Sequence, residues 1–464
     1  MGVAIDKKNA NPELPNRKLS LRTSILFSTG DLSSSLTLAI QTFYQLYFLT
    51  DVARLPPATV AWVVGITRMW DAVNDPLIGL ISDRIRSRFG RRRALLVYGS
   101  VPLGLFFALC WIVPPFSQTW QAVYYALIII AFDTAFTIVH VGFNSLTPTM
   151  TYDYDERSSL NGFRMAFSLG GTLAAIVFAT LLAESTSSES FRFAVVGITL
   201  GVLAMIPPWI VFSVSGKADQ SHETSKMGLL ESLKTTFSNH AFVMVTCMFL
   251  ACWTATCVIA AMLIYFANYY LRVPEQNNYF VLVAQSSAVV SVPLCVWMAR
   301  QWDKPKAFMV GIGFWCVVLI GFFALPQTAV GVAYLCALLC GPGIATAAVI
   351  PWSMLPDVIE EEQKRTGERR EGTYYAFVSF FQKLGTGIAL WGIGMALAAS
   401  GYITPEQGNP FPDQPESALA TIRFIIGPAT ICLLLISLPF AWWYPITREG
   451  HLRSVEAIRN SKVV

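Results

Sequence analysis

Asp71 and Asp75 stand one helical turn apart inside an apolar run of this 464-residue chain. At that spacing they share a helix face with Thr67, with Cβ atoms about 5–6 Å apart. Two such carboxylates can share a proton, ligate a hard cation through oxygen, or pair with the adjacent Arg68. Asn74 flanks the stripe and adds an amide. Acids inside hydrocarbon cost about 3 kcal/mol each unless compensated, and those that persist usually mark function. A purely structural ion-pair cluster is the competing use of the same side chains. Six arginines follow between Arg84 and Arg93, just past the end of the run.

A second polar stripe runs through Asp133, Thr137, His140 and Asn144, at i, i+4, i+7 and i+11 of another apolar segment. Four polar residues on one face describe a cavity wall, and His140 can titrate, donate or accept near neutral pH. Asp31 lies in a small polar patch, Ser28 to Ser35. Lys383, within Phe381-Gln382-Lys383-Leu384-Gly385, is the intramembrane base of the C-terminal half. A buried ammonium needs a partner, and the candidates are the carboxylates of the N-terminal half. Tyr265, Asn268 and Tyr269 are candidates for cavity lining, although aromatic residues near a span end more often form an interfacial belt. The polar loops at Asp153–Arg157 and Asp357–Glu371, with the arginines at 84–93 and Arg164, could form an ionic lock between halves.

The elements that must position these residues are membrane helices. The chain is 54% hydrophobic and 13% charged, with mean hydropathy +0.52. Soluble domains carry about 25% charge. Twelve runs can each span a bilayer, near 23–50, 58–82, 94–114, 119–147, 158–183, 192–214, 241–271, 277–299, 307–325, 329–355, 373–400 and 420–444. Lipid offers the backbone no hydrogen-bond partner, so each is helical. This layout leaves 27 of the 33 Lys and Arg on the side of the termini, which makes both termini cytoplasmic. The predicted organisation is a tail at 1–22, a six-helix bundle at 23–214, a polar linker at 215–240, a second bundle at 241–446 and a tail at 447–464. The site then lies between two halves, near the midplane.

Other classes fit poorly. No nucleophile–base pair, metal motif or phosphate loop has a credible context, so no enzymatic activity and no cofactor are predicted. The nine cysteines lie in apolar runs without zinc spacing. The net charge of +4 sits in short loops and does not indicate nucleic acid. The first 22 residues lack the apolar core of a cleavable signal. A prokaryotic inner membrane is the expected location, a small solute and the bilayer the expected partners, and oligomeric state is open. A solute sensor without transport would need no paired acids.

Trp70-Asp71-Ala72-Val73-Asn74-Asp75-Pro76, Leu355-Pro356-Asp357 with Gly367-Glu368-Arg369-Arg370-Glu371-Gly372, and Lys383-Leu384-Gly385 jointly resemble the glycoside–pentoside–hexuronide:cation symporters. This branch of the major facilitator superfamily includes melibiose permease. The resemblance implies sodium- or proton-coupled symport by alternating access. It places Asp71, Asn74, Asp75 and Thr137 at the cation site, Lys383 beside it, and Asp31 and Arg164 along the sugar path. Arg68 joins Lys383 as a coupling residue, and Asp133, His140 and Asn144 complete the predicted solute wall. Melibiose permease has an aspartate at His140, a tryptophan at Asn144, a lysine at Gly30 and a stacking tryptophan near Ala348. The run His140-Val141-Gly142-Phe143-Asn144-Ser145-Leu146 is instead similar to that of sodium-dependent lysophosphatidylcholine symporters. A sugar or glycoside is the first expectation for the solute, and a lysolipid or other amphipathic solute the second.

Overall fold

A computed structural model describes residues 19–84, 87, 89–151, 154–185, 188–215, 238–366, 371–406, 409 and 411–446. Among them twelve long helical spans follow one another. The first, α1, is built from Leu21–Ser28, Gly30–Tyr47 and a π-turn at Phe48–Val52. Then come α2 (Pro57–Arg84), α3 (Arg91–Cys110), α4 (Gln118–Met150), α5 (Tyr154–Ser185) and α6 (Glu189–Val214). The second set begins with α7 (His240–Tyr265, continued by a π-turn at Phe266–Tyr270), α8 (Asn277–Trp302), α9 (Lys304–Ala324) and α10 (Val330–Thr366). It ends with α11 (Glu371–Ala399) and α12, made of Glu416–Phe424, a π-turn at Ile425–Ala429 and Thr430–Trp442. The predicted linker lies almost wholly in 216–237, outside the described residues, as do residues 1–18 of the N-terminal tail, the whole C-terminal tail and the loop residues 85, 86, 88, 152–153 and 367–370.

Nine of these spans are long and apolar enough to cross a membrane. The remaining three are α1, α2 and α11. They carry Asp31, then Arg68, Asp71 and Asp75, then Lys383, and those side chains lower their hydropathy. The three spans least suited to lipid therefore each carry a residue of the predicted site, which α4 and α5 complete. Side-chain caps fix several helix starts, where the first N–H groups lack partners. Ser20 accepts from the Thr23 amide at 3.1 Å and Asn239 from the Phe242 amide at 3.2 Å. α10 runs eleven residues beyond its predicted end at 355, because its last turns carry polar residues past the apolar span.

α2 and α11 come from different halves and pack closely along their length. A Cβ added at Gly387 would lie 2.6 Å from the Arg68 Cβ, and one at Gly394 would lie 3.1 Å from the Pro57 carbonyl oxygen. Only glycine lets these backbones approach so near. That approach brings Lys383 within reach of α2.

The ends of α1 and α7 repeat one another, a duplication the sequence reading did not detect. Tyr47-Phe48-Leu49-Thr50-Asp51-Val52-Ala53-Arg54-Leu55-Pro56 matches Tyr265-Phe266-Ala267-Asn268-Tyr269-Tyr270-Leu271-Arg272-Val273-Pro274. Each copy forms a π-turn and then an arginine in the left-handed region, Arg54 at φ 59° and Arg272 at φ 58°. The closing hydrogen bonds also match. Ala53 N–H donates to Phe48 O at 2.8 Å and Leu271 N–H to Phe266 O at 2.9 Å. Leu55 N–H donates to Leu49 O and Val273 N–H to Ala267 O, both at 3.0 Å. Tyr47 packs edge-on against its own counterpart Tyr265, with centroids 6.1 Å apart. Equivalent positions of the two repeats therefore touch each other at this contact.

Candidate cation and solute site

α11 delivers Lys383 between the two carboxylates of α2. Its Nζ donates to Asp71 Oδ1 at 2.8 Å and to Asp75 at 2.8 Å. The partner predicted from charge balance is the one present. Asp71 also faces Arg68, whose Nη1 lies 3.9 Å from Asp71 Oδ2. Arg68 Nη2 donates to Gln45 Oε1 on α1 at 3.0 Å, a contact the sequence reading missed. Thr137, on α4, donates to Asp75 Oδ1 at 2.9 Å. Asn74 donates its amide to the main-chain oxygen of Asp133 at 3.2 Å, tying α2 to α4. Thr67 turns back on its own helix and bonds Val64 O at 3.0 Å.

Burial divides this group. The Asp71 side chain is 8% exposed and that of Asp75 33%, so Asp75 is the more exposed carboxylate. Asp133 is buried, and its Oδ2 has no hydrogen-bond partner among the described residues. Its charged neighbours are Asp71, Arg68, Lys383 and Asp75. Asp133 meets α2 through its main-chain oxygen, which accepts from Asn74. Asp71 and Asp75, among the described residues, pair with the two bases Arg68 and Lys383. Among the described residues no three of His, Cys, Asp and Glu converge on one metal position. The point between Asp71 and Asp75 is filled by the Lys383 ammonium.

The second cluster lies toward the end of the bundle that carries Leu19. From Thr137 to Asn144 the distance along α4 is about 10 Å. Arg164, on α5, grips Asp31 of α1 with two parallel bonds, Nε to Oδ2 at 2.7 Å and Nη2 to Oδ1 at 3.1 Å. The same guanidinium donates to Thr147 Oγ1 at 2.9 Å and Asn144 Oδ1 at 2.8 Å. It also sits over the Phe143 ring, 4.4 Å from the centroid. The fork geometry of arginine suits this many acceptors at once. Any side chain at Gly30 would meet the Phe143 ring, which accounts for glycine where melibiose permease has lysine.

His140 lies between the clusters. It stacks on Phe136 at 5.4 Å, and its Nδ1 is 3.3 Å from Ser34 Oγ. The predicted cavity tyrosines, by contrast, sit elsewhere. Tyr265 and Tyr269 lie at the end of the bundle remote from Leu19, and Asn268 is held by the Asn277 amide at 2.8 Å. Of the predicted ionic lock, Arg164 is engaged by Asp31, while Lys304 bonds Asp357 at 2.5 Å and Ser353 O at 2.7 Å within the second half.

Twelve helices in two halves, with charged residues meeting across the seam, define an integral membrane secondary transporter of the major facilitator superfamily. The chain belongs to the family described as MFS/sugar transport protein, which matches residues 26–448. An uncharacterized symporter of Synechocystis is 33% identical, over 94% of this chain and 96% of that protein. The sodium-dependent lysophosphatidylcholine symporter 1-A of Danio rerio is 25% identical over 93% of this chain and 87% of that one. The glucuronide carrier protein homolog of Escherichia coli is 25% identical over 97% and 98%. Among solved structures, a D-xylose–proton symporter superposes with a TM-score of 0.65 at 14% identity, covering 92% of this chain and 98% of that one. The protein is a secondary active symporter, not an enzyme, as the motifs on α2, α10 and α11 led one to expect.

Proposed function

We propose that Asp71 and Asp75 bind the coupling cation, sodium or a proton, with Thr137 and Asn74 in its shell and Lys383 as its internal competitor. The observation that carries this is the Lys383 ammonium, 2.8 Å from both carboxylates and held by the opposite half. A tethered cation already occupies the place a free one would take. When Asp75 exchanges the ammonium for the coupling cation, α11 is released from α2 and the halves can rock. Carboxylate, hydroxyl and amide oxygens are the donors a hard cation prefers.

The solute in this reading is a sugar or glycoside, bound by Asp31, Arg164, Asn144 and His140. Arg164 and Asp31 compensate each other, so the cluster presents polar groups without net charge, which suits hydroxyls. A lysophospholipid is the second reading, favoured by the Danio rerio relative. Both termini face the cytoplasm of a prokaryotic inner membrane, so the end remote from Leu19 is the outer one.

The test is uptake into proteoliposomes of labelled sugars and lysolipids, under an inward sodium gradient, a proton gradient or neither. Accumulation of one solute under one gradient, lost in Asp75→Asn, is the expected result. Gradient-driven accumulation that survives Asp75→Asn would overturn the cation assignment.

A further inference from the structure

The matched turns at the ends of α1 and α7 meet around one buried acid. Asp51 is 5% exposed. Its carboxylate accepts hydrogen bonds from the hydroxyls of Tyr269, Tyr402 and its neighbour Thr50, the Tyr402 bond being 2.8 Å long. Thr50 Oγ1 lies 2.5 Å from the Tyr265 hydroxyl. Tyr265, Tyr269 and Tyr402 pack on one another, with Tyr269 and Tyr402 edge-on at 5.4 Å. Asp51 and Thr50 belong to the first half, and all three phenols belong to the second. Behind them, Tyr47 OH donates to Glu189 at 3.0 Å, and Glu189 pairs with Arg192 at 3.2 Å.

We infer that this cluster is the latch of the outer gate, and that Asp51, Tyr265, Tyr269 and Tyr402 are positioning residues for transport. Two of the three hydroxyls that satisfy the buried carboxylate reach it only while the halves touch. Once they part it must be met by water, because a buried acceptor left alone is costly. The latch therefore has two stable conditions, closed and dry or open and wet. Phenols suit it better than a cation would, since parting leaves no opposite charge stranded on the other half. The π-turns place the change of direction at the latch itself, where helical hydrogen bonding is already irregular. The inference holds whatever cation and solute the protein carries.

Double spin labelling tests it in the full chain. Labels go on Ser117→Cys and Thr328→Cys, exposed residues beside the outer ends of the two halves, in a Cys432→Ser background, Cys432 being the exposed native cysteine. Pulsed EPR then reads the distance distribution in the reconstituted protein. Losing a hydroxyl bond to a charged acceptor shifts an equilibrium by about tenfold or more. Asp51→Asn and the pair Tyr269→Phe/Tyr402→Phe should each raise the ratio of long to short distances by at least that factor, with Asp51→Glu restoring part of the short population. The phenylalanine pair keeps the ring packing and removes only hydroxyls, so it decides the matter even if Asp51 variants fail to fold. An unchanged distribution in that pair overturns the proposal.

Discussion

Replacing Lys383 with methionine keeps the length and apolar stem of the side chain and removes its charge. In the native structure the ammonium is shared by Asp71 and Asp75, each 2.8 Å away, and is itself 21% exposed. Removing one partner of a fully buried pair costs about 3–5 kcal/mol. Partial exposure of Lys383 and Asp75 brings that nearer to about 2 kcal/mol. In Lys383→Met the cation-free protein should melt at lower temperature, because two carboxylates about 5–6 Å apart at Cβ now repel without relief. The coupling cation meanwhile loses its competitor, and its apparent affinity should rise by about tenfold or more, since each 1.4 kcal/mol is a factor of ten. A melting series in sodium chloride, with choline chloride holding ionic strength constant, reads both effects. Stabilisation follows RT ln(1 + [L]/Kd), about 2.7 kcal/mol at a hundredfold excess over Kd. Protons are tested by the same series over pH. If Lys383→Met shows the wild-type midpoint and the wild-type dependence on cation, ammonium and ion do not share a site, and the reasoning fails.

Other perturbations separate the two clusters. Arg164→Lys cannot reproduce the double bond to Asp31, so solute affinity should fall at least tenfold in a binding titration while cation-dependent melting stays as in wild type. Thr137→Val removes the hydroxyl 2.9 Å from Asp75 Oδ1 and should weaken cation affinity about fivefold to tenfold by calorimetry. Asp133→Asn keeps the shape of a buried side chain whose Oδ2 has no hydrogen-bond partner among the described residues, and should leave solute affinity unchanged in the same solute titration, which a solute ligand would not. Gly387→Val forces α11 away from Arg68 and should cost about 1–3 kcal/mol of stability, read as an earlier melting transition.

The residues that the sequence made legible are those whose presence in lipid is expensive. Asp71, Asp75 and Lys383 announced themselves by cost, and charge balance alone matched them across the halves. Their helical spacing gave the shared face, but not the order of burial that makes Asp75 the exposed member. The resemblance set Asp31 and Arg164 along one solute path but did not join them, since nothing in spacing brings α1 to α5; their ion pair came from the structure. Asp133 was placed by its stripe, and a stripe tells which face a residue takes, not which neighbour fills the space opposite. Gln45 went unnoticed because an amide in a span is cheaper than a charge. Asp51 lies at a span end, where an acid is ordinary, and its tyrosine partners resemble the aromatic belt of any membrane protein. The recurrence of Tyr-Phe, then Arg and Pro, in the two halves was present in the sequence. It is only four identities in ten positions, and the matching π-turns give it meaning.

Those matching turns carry a historical consequence. If the two halves descend from one six-helix ancestor, that ancestor worked as a pair of identical chains. Across a true twofold interface, a residue that lies on the axis meets its own copy. Tyr47 against Tyr265 is still such a meeting. Asp51 against Tyr269 is not: in an identical pair the position would have set acid on acid, or phenol on phenol. Joining the copies into one polypeptide allowed each to mutate alone, and a phenol facing an acid became possible at a place where symmetry would set like against like.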